Sequence, residues 1–133
     1  MSSTGEAVAW PRVDVGSVAV HEGKLLLVKR EGVWGVPRGP LALGERIPEA
    51  ATRLAREQAG LQSRPVKRVT VEEHIQKNTR GETSTHIITV YYQVRPLSPP
   101  RESQARWVTL HQLEEANPKL RQVLNPLESQ IRP

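Results

Sequence analysis

The chain has 133 residues, which is enough for one domain of ordinary size and too few for two independent cores. Hydrophobic residues make up 37% and charged residues 25%, a balance that excludes collagen-like, low-complexity and strongly disordered chains. The lack of Cys excludes disulfides, thiolate metal sites and cysteine catalysis. Neither a signal peptide nor an apolar run of the roughly 20 residues that cross a bilayer is recognisable, so we expect a soluble, cytoplasmic protein.

The formal net charge is +5 at pH 7, from 19 Lys and Arg against 14 Asp and Glu. This excess favours an anionic partner, such as a nucleotide, a phosphate or a nucleic acid. Arginines that only solvate the surface explain the same number, so charge alone leaves both interpretations open. Because Asp14 is the single Asp, we expect carboxylate chemistry to fall to Glu.

The N-terminal part of the chain predicts a hairpin followed by an ordered loop. The β-rich residues 13–20 and the apolar residues 24–30 flank a short turn, which is typical of a β-hairpin. Residues 31–43 then hold three Gly and two Pro, which favours an ordered loop around Trp34.

A helix is predicted after that loop. Apolar residues recur at helical spacing from Ile47 to Ala59. Pro48 suits the first turn, because its missing N–H costs nothing there, and Gly60 suits a left-handed cap.

The second half predicts a long hairpin and a helical end. Residues 66–75 and 86–94 are strand candidates, joined by the polar turn 77–84. Residues 95–102 are predicted to form a connection and residues 106–110 a short strand. Two terminal helices are predicted over residues 111–116 and 120–131, separated at Pro118. Strands interleaved with helices predict an α/β fold in a single domain over residues 1–133, with residues 1–11 as an N-terminal extension.

The segment from the loop through the helix reads WGVPRGPLALGERIPEAATRLAREQAGL and resembles the signature of the Nudix hydrolases. That signature is a Gly, five residues, a Glu, seven residues, and then R-E-U-x-E-E-x-G-U, where U is bulky and aliphatic. Six positions match: Gly39, Glu45, Arg53, Glu57, Gly60 and Leu61. The Gly-containing first strand, the Trp-x-x-Pro before the signature and the late strand with Trp107 also match the family's pattern, so the resemblance covers nearly the whole chain.

The resemblance implies a Nudix-like mixed sheet sandwiched between helices. It also implies attack of water on a diphosphate bond, supported by Mg²⁺ or Mn²⁺ on helix carboxylates. Catalytic roles then fall to Glu57, Glu45 and Arg53, with Arg53 orienting a glutamate by ion pairing. The metal ligands implied are Glu57, Glu45, Gln58 and, from the loop before the last strand, Glu102.

Three positions depart from the signature. Leu54 stands where the first helix Glu belongs, Ala55 replaces the bulky aliphatic residue, and Gln58 replaces the last Glu. One carboxylate therefore remains on a helix face that has three in the family. Since an amide oxygen holds a divalent cation more weakly than a carboxylate does, we expect weak metal binding and slow hydrolysis.

Other residues are weaker candidates. Arg38 gives the loop the reading Pro-Arg-Gly, where a guanidinium suits the phosphates of a substrate, and Gly39 lets the backbone approach that substrate closely. Glu72 and His74 share one strand face, but a solvated surface explains them as well. Among the aromatic residues, a Tyr at 91 or 92, or Trp10, is a candidate to stack on a base, and core packing is the alternative for at least one Tyr.

Two functions stay open. The first is a hydrolase that cleaves nucleoside diphosphate-linked compounds and has fewer metal-binding carboxylates than the family. The second is an inactive nucleotide-binding or regulatory module with the same fold. Nucleic-acid binding ranks lower, because the basic residues are scattered and do not cluster with aromatic ones. We expect a nucleotide or another diphosphate-containing small molecule as partner, no membrane, and leave a homodimer open.

Overall fold

The computed structural model describes residues 11–133, so the predictions made for Trp10 and for all of the N-terminal extension except Pro11 fall outside that range. The α/β fold predicted from the sequence is confirmed. The strands are β1 (Arg12–His21), β2 (Lys24–Arg30), β3 (Val33–Gly35), β4 (Arg38–Pro40), β5 (Ser63–Lys77), β6 (Thr83–Pro96) and β7 (Ala105–Val108). The helices are α1 (Ile47–Ala59), α2 (Leu110–Ala116) and α3 (Pro118–Val123), followed by a 3₁₀ helix (Asn125–Gln130).

All seven strands form one mixed sheet, whose main path runs β3-β2-β1-β6-β5. β1 is central, since it pairs in parallel with β6 and antiparallel with β2 and β4. β7 joins the sheet through β2. Because β1 is covered on both faces, six of its consecutive residues are buried, and four of them are Val, Ala or Gly while Asp14 and Ser17 are polar.

The predicted helix is confirmed at both of its ends. Pro48 lies in its first turn, and Gly60 takes the left-handed conformation (φ 62°) that lets its N–H bond to the last helical carbonyls. The apolar stripe of α1 is buried against one face of the sheet, where Ala50, Ala51 and Leu54 pack with residues of β1 and β2. A second apolar cluster on the opposite face holds Leu residues of α2, α3 and the 3₁₀ helix. The sheet is therefore sandwiched between helices, as the family resemblance implied.

The structure differs from the sequence predictions mainly between and beyond the long strands. The predicted loop 31–43 contains two three-residue strands, because its backbone pairs with β1 and β2. β5 and β6 extend further than expected, so the turn between them is confined to 78–82. Pro118 begins α3 and does not merely interrupt a helix, since a proline is tolerated in a first turn.

Candidate functional site

Leu54, which stands where the family has the first helix Glu, faces the core. It is only 2% exposed and belongs to the apolar cluster between α1 and the sheet. A Cβ atom on Gly39 would lie 2.9 Å from Leu54 Cδ2, so β4 approaches α1 closely because Gly39 has no side chain. The close approach at Gly39 is thus explained by helix packing, and its role in substrate binding stays a prediction.

Gln58 is held by the main chain of β4. Its Oε1 accepts hydrogen bonds from the Arg38 N–H (2.9 Å) and from Arg30 Nη1 (3.1 Å), while its Nε2 donates to the Arg38 carbonyl (2.8 Å). Because an amide oxygen has two lone pairs, these two donors use its accepting capacity. Gln58, which was predicted as a metal ligand, therefore links α1 to β4 by hydrogen bonds.

Arg53 joins the two remaining acids of the signature. Its Nε and Nη2 donate to the two oxygens of Glu45 (2.7 and 2.9 Å), and its Nη1 donates to Glu57 Oε1 (3.0 Å). A paired fork of this kind is the strong form of a guanidinium–carboxylate contact. The hydrogen bonds from Arg53 hold the pKa of Glu45 below its usual range, and those to Glu45 and Glu57 raise the pKa of Arg53.

These acids do not provide the donor set that a divalent cation prefers. Glu45 is bound by Arg53 and by the Ala42 N–H, while the side chain of Glu57 is 52% exposed and uses one oxygen on Arg53. Glu102 bonds within its own loop, to Ser103 and Gln104. Over residues 11–133, no three His, Cys, Asp or Glu side chains come together as a metal cluster. Hard cations prefer several oxygen ligands, so the residues present do not fit the family's metals.

A cavity of about 440 Å³ lies beside β4, on the side of the sheet that carries the C-terminal helices. That volume is within the range of small-molecule sites, roughly 300–1,000 Å³. Four basic side chains and two acidic ones line it, so its wall carries an excess of positive charge: Arg12, Arg30, Arg38 and Lys119 with Asp14 and Glu72. Most of the remaining lining is apolar and includes Val28 of β2 and Leu120 and Val123 of α3.

Asp14 organises the basic side of this cavity. Its carboxylate is 3% exposed and accepts hydrogen bonds from Arg12 Nε and Nη2 (2.9 and 3.1 Å) and from Arg38 Nε (3.4 Å). A buried carboxylate needs such partners to offset its desolvation. Arg12 and Arg38 remain partly exposed, at 56% and 36% of their side chains, and can still meet a ligand.

Arg30 and Arg38 connect the cavity with α1. Both line the cavity, and Arg30 Nη1 also donates to the Arg38 carbonyl (2.7 Å) next to its contact with Gln58. The prediction that a cation at position 38 meets phosphate is compatible with this place, although Arg38 also pairs with Asp14.

The Glu72 side of the cavity is closed by Tyr91. Its ring packs on Gly16, where a Cβ would lie 2.7 Å from the ring, and its hydroxyl donates to Glu72 Oε1 (3.2 Å). Burial and the nearby Glu72 carboxylate raise the pKa of Tyr91 to about 12. Core packing, the alternative predicted for at least one Tyr, is confirmed here. His74 does not join this contact, and the neighbouring Glu73 instead pairs with His86 (2.7 Å).

The sequence reasoning missed Arg12, Asp14, Arg30 and Lys119. A signal for the first pair existed, because residues two apart on a strand share one face and an Arg–x–Asp pair can interact there. No comparable signal marks Lys119, which reaches the cavity from α3, far along the chain.

A seven-stranded mixed sheet between helices, with the signature helix packed on β4, defines the Nudix fold, and comparisons with known proteins agree. A family model for the NUDIX domain matches residues 10–127. The chain belongs to the Nudix family.

Three solved structures illustrate the likeness. A NUDIX hydrolase from Nitrosomonas europaea aligns with a TM-score of 0.72 at 20% identity, covering 92% of each chain. An ADP-ribose pyrophosphatase from Streptococcus suis aligns with a TM-score of 0.69 at 19% identity, covering 90% of this chain and 91% of the other. A MutT NUDIX hydrolase from Burkholderia pseudomallei is 28% identical over 77% of this chain and 86% of its own, with a TM-score of 0.65.

Within residues 11–133, none of the helices is both long and apolar enough to span a membrane.

Proposed function

We propose that this domain binds a nucleotide or a related diphosphate-containing compound in the cavity beside β4 and cleaves it slowly or not at all. The observation that carries the proposal is the environment of Leu54 and Gln58, the two departing residues that stand at carboxylate positions of the signature. Leu54 is buried in the core, and the amide oxygen of Gln58 is saturated by Arg38 and Arg30. Glu57 is then the one carboxylate left on this helix face, which makes it a weaker site for the ions that the family's chemistry uses.

The cavity supports the binding half of the proposal. Its volume suits a nucleotide, and its wall has two more basic than acidic side chains. Phosphate groups favour guanidinium partners, because the planar fork of Arg donates two parallel hydrogen bonds to one anion.

The names of the structural neighbours guide the choice of ligands. One neighbour is an ADP-ribose pyrophosphatase and another a UDP-X diphosphatase. ADP-ribose and UDP-sugars are therefore the first compounds to test here, followed by nucleoside triphosphates and diadenosine polyphosphates.

Calorimetry with this set tests binding, with Arg38→Gln as the site variant and Arg56→Gln as its control. Both changes remove one positive charge, but Arg56 is exposed on α1 and does not line the cavity. We expect at least one compound to bind, and Arg38→Gln to weaken it about tenfold or more while Arg56→Gln changes little. Absence of binding by every compound, or equal binding by both variants, would refute the proposal.

Slow hydrolysis is a second candidate, and one observation favours it. Glu57 matches the signature and has an exposed side chain with one oxygen on Arg53, so its carboxylate is accessible. Incubation with the same compounds and Mg²⁺ or Mn²⁺ measures turnover. A rate abolished by Glu57→Gln and unchanged by Glu114→Gln, a helix acid outside the signature, would establish an enzyme. A rate equal to that of buffer in every case would eliminate it.

A homodimer and a cytoplasmic location stay predictions. The edge strand β5 pairs only with β6 among the described strands and exposes Val71 and Ile75, which makes it the first surface to test for self-association. Light scattering coupled to gel filtration gives the mass directly, and a mass close to 14.9 kDa would contradict the dimer.

A further inference from the structure

We infer that the arginines of the cavity replace divalent cations as the counter-charge for phosphate, so that a phosphorylated ligand binds here without metal. The inference rests on the proposed function and specifies how that site recognises its ligand. It begins from a disagreement between the family's chemistry and this chain. Leu54 and Gln58 stand at two of the three carboxylate positions of the helix, and Glu45 and Glu57 are both hydrogen-bonded to Arg53.

Positive charge is present where those cations would otherwise be needed. Arg30 touches Gln58, the position of a lost carboxylate, with the same guanidinium that lines the cavity. The Arg30 guanidinium thus lies next to Gln58, where the family has a metal-binding Glu, and it would repel a metal ion there. A phosphate oxygen, by contrast, would gain a charge-assisted hydrogen bond.

The arrangement is also preorganised. The Asp14 carboxylate accepts hydrogen bonds from Arg12 and Arg38, and the Arg38 carbonyl accepts one from Arg30. Fixing guanidiniums before the ligand arrives reduces the entropy lost on binding.

The charge balance matches a doubly charged anion. Asp14 neutralises one of the four basic side chains, and Glu72, which accepts from Tyr91, balances a second. Two positive charges remain for the ligand. A nucleoside monophosphate, or a diphosphate that bridges two groups, carries about that charge at neutral pH, and ADP or free pyrophosphate carries about one negative charge more.

The test is calorimetry with ADP and with inorganic pyrophosphate, each measured in excess EDTA and again with MgCl₂. We expect both to bind in EDTA, and MgCl₂ to leave that binding unchanged or weaken it, because Mg²⁺ in solution pairs with the same phosphate oxygens that the arginines bind. Pyrophosphate distinguishes recognition of the phosphates alone from recognition that needs the nucleoside.

Arg12→Gln and Arg30→Gln should each weaken binding in EDTA about tenfold or more, because a charge-assisted hydrogen bond is lost. Arg80→Gln removes the same charge at the tip of the β5–β6 hairpin and should leave the affinity unchanged. Arg30 also supports β4, so a second variant, Arg30→Lys, keeps the positive charge but cannot donate two parallel hydrogen bonds. We expect its affinity to lie between those of the unchanged protein and Arg30→Gln. Thermal melts of each variant verify that it folds.

The outcomes separate two failures. Binding that appears only with MgCl₂ overturns metal-free recognition but leaves the proposed nucleotide site standing. Binding in EDTA that none of the cavity variants weakens places the ligand elsewhere and also overturns the inference. Failure of every compound to bind in both conditions refutes the proposed function itself.

Discussion

The signature helix α1 and the cavity beside it share strand β4 but differ in how they use charge. On α1, two of the three family carboxylate positions are occupied by Leu54 and Gln58, and both contact β4. In the cavity, Arg38 of the same strand joins three more basic side chains. The same helix face can thus keep its place in the fold with fewer carboxylates, because Leu54 and Gln58 hold it to β4 by apolar contact and hydrogen bonds.

The largest expected effect comes from forcing a carboxylate back into the packed face. Leu54→Glu removes a buried apolar side chain and places a charge against Gly39 and the core. We expect the free energy of unfolding to fall by about 3 kcal/mol or more. Urea unfolding measures it, with the exposed Arg56→Glu as a control that also adds a carboxylate to α1. An unchanged midpoint for Leu54→Glu would mean that position 54 does not face the core.

A smaller decrease in the free energy of unfolding is expected when the charge of Asp14, beside the cavity, is removed. Asp14→Asn keeps the shape of the side chain but removes the charge that holds Arg12 and Arg38. Because those arginines are partly exposed, we expect a loss of about 2 kcal/mol, below the usual cost of breaking a fully buried pair. The same denaturant measurement on Glu57→Gln, an exposed acid on α1, should give a loss of roughly 0.5 kcal/mol or less. Equal losses for the two variants would remove the contrast between these regions.

The Arg53–Glu45 pair should contribute less to the free energy of unfolding, and its contribution should depend on pH. Arg53→Lys cannot make both bonds to Glu45, so we expect a loss of about 1 kcal/mol near neutral pH. The pKa of Glu45 is lowered in the folded state, so its stabilising contribution is complete above the usual carboxyl pKa and disappears as pH falls through the lowered value. Unfolding measured at decreasing pH from neutral should therefore show the difference between the two proteins shrinking in acid. A difference that persists there would assign the effect to packing.

The smallest effect is spectroscopic. In Tyr92→Phe, the remaining Tyr91 should ionise with a pKa of about 12, followed by absorbance at alkaline pH. Because this pKa is raised, the neutral hydroxyl stabilises the fold up to the ordinary tyrosine pKa of about 10, and the contribution is lost as pH rises through 12. Adding Glu72→Gln removes one cause and should move the titration toward the ordinary value. No movement would show that Glu72 does not face Tyr91.

The sequence by itself determined the elements whose signals are local. The apolar spacing of α1, with Pro48 at its start and Gly60 at its end, depends only on neighbours within a few residues. The alternation of strands and helices, together with the six matching signature positions, was enough for the fold class and the family. The departures from the signature at 54 and 58 were also visible in the sequence.

Only the tertiary structure decided what those departures do. Contacts between β4 and α1 turn Leu54 into a core residue and Gln58 into a main-chain clamp, and helical periodicity cannot predict a partner some 20 residues away. The cavity likewise assembles Arg12, Arg38, Glu72 and Lys119 from four separate elements. Their convergence follows from strand order and from the packing of the last helices on the sheet, because side chains distant in sequence meet only where the folded backbone brings them together.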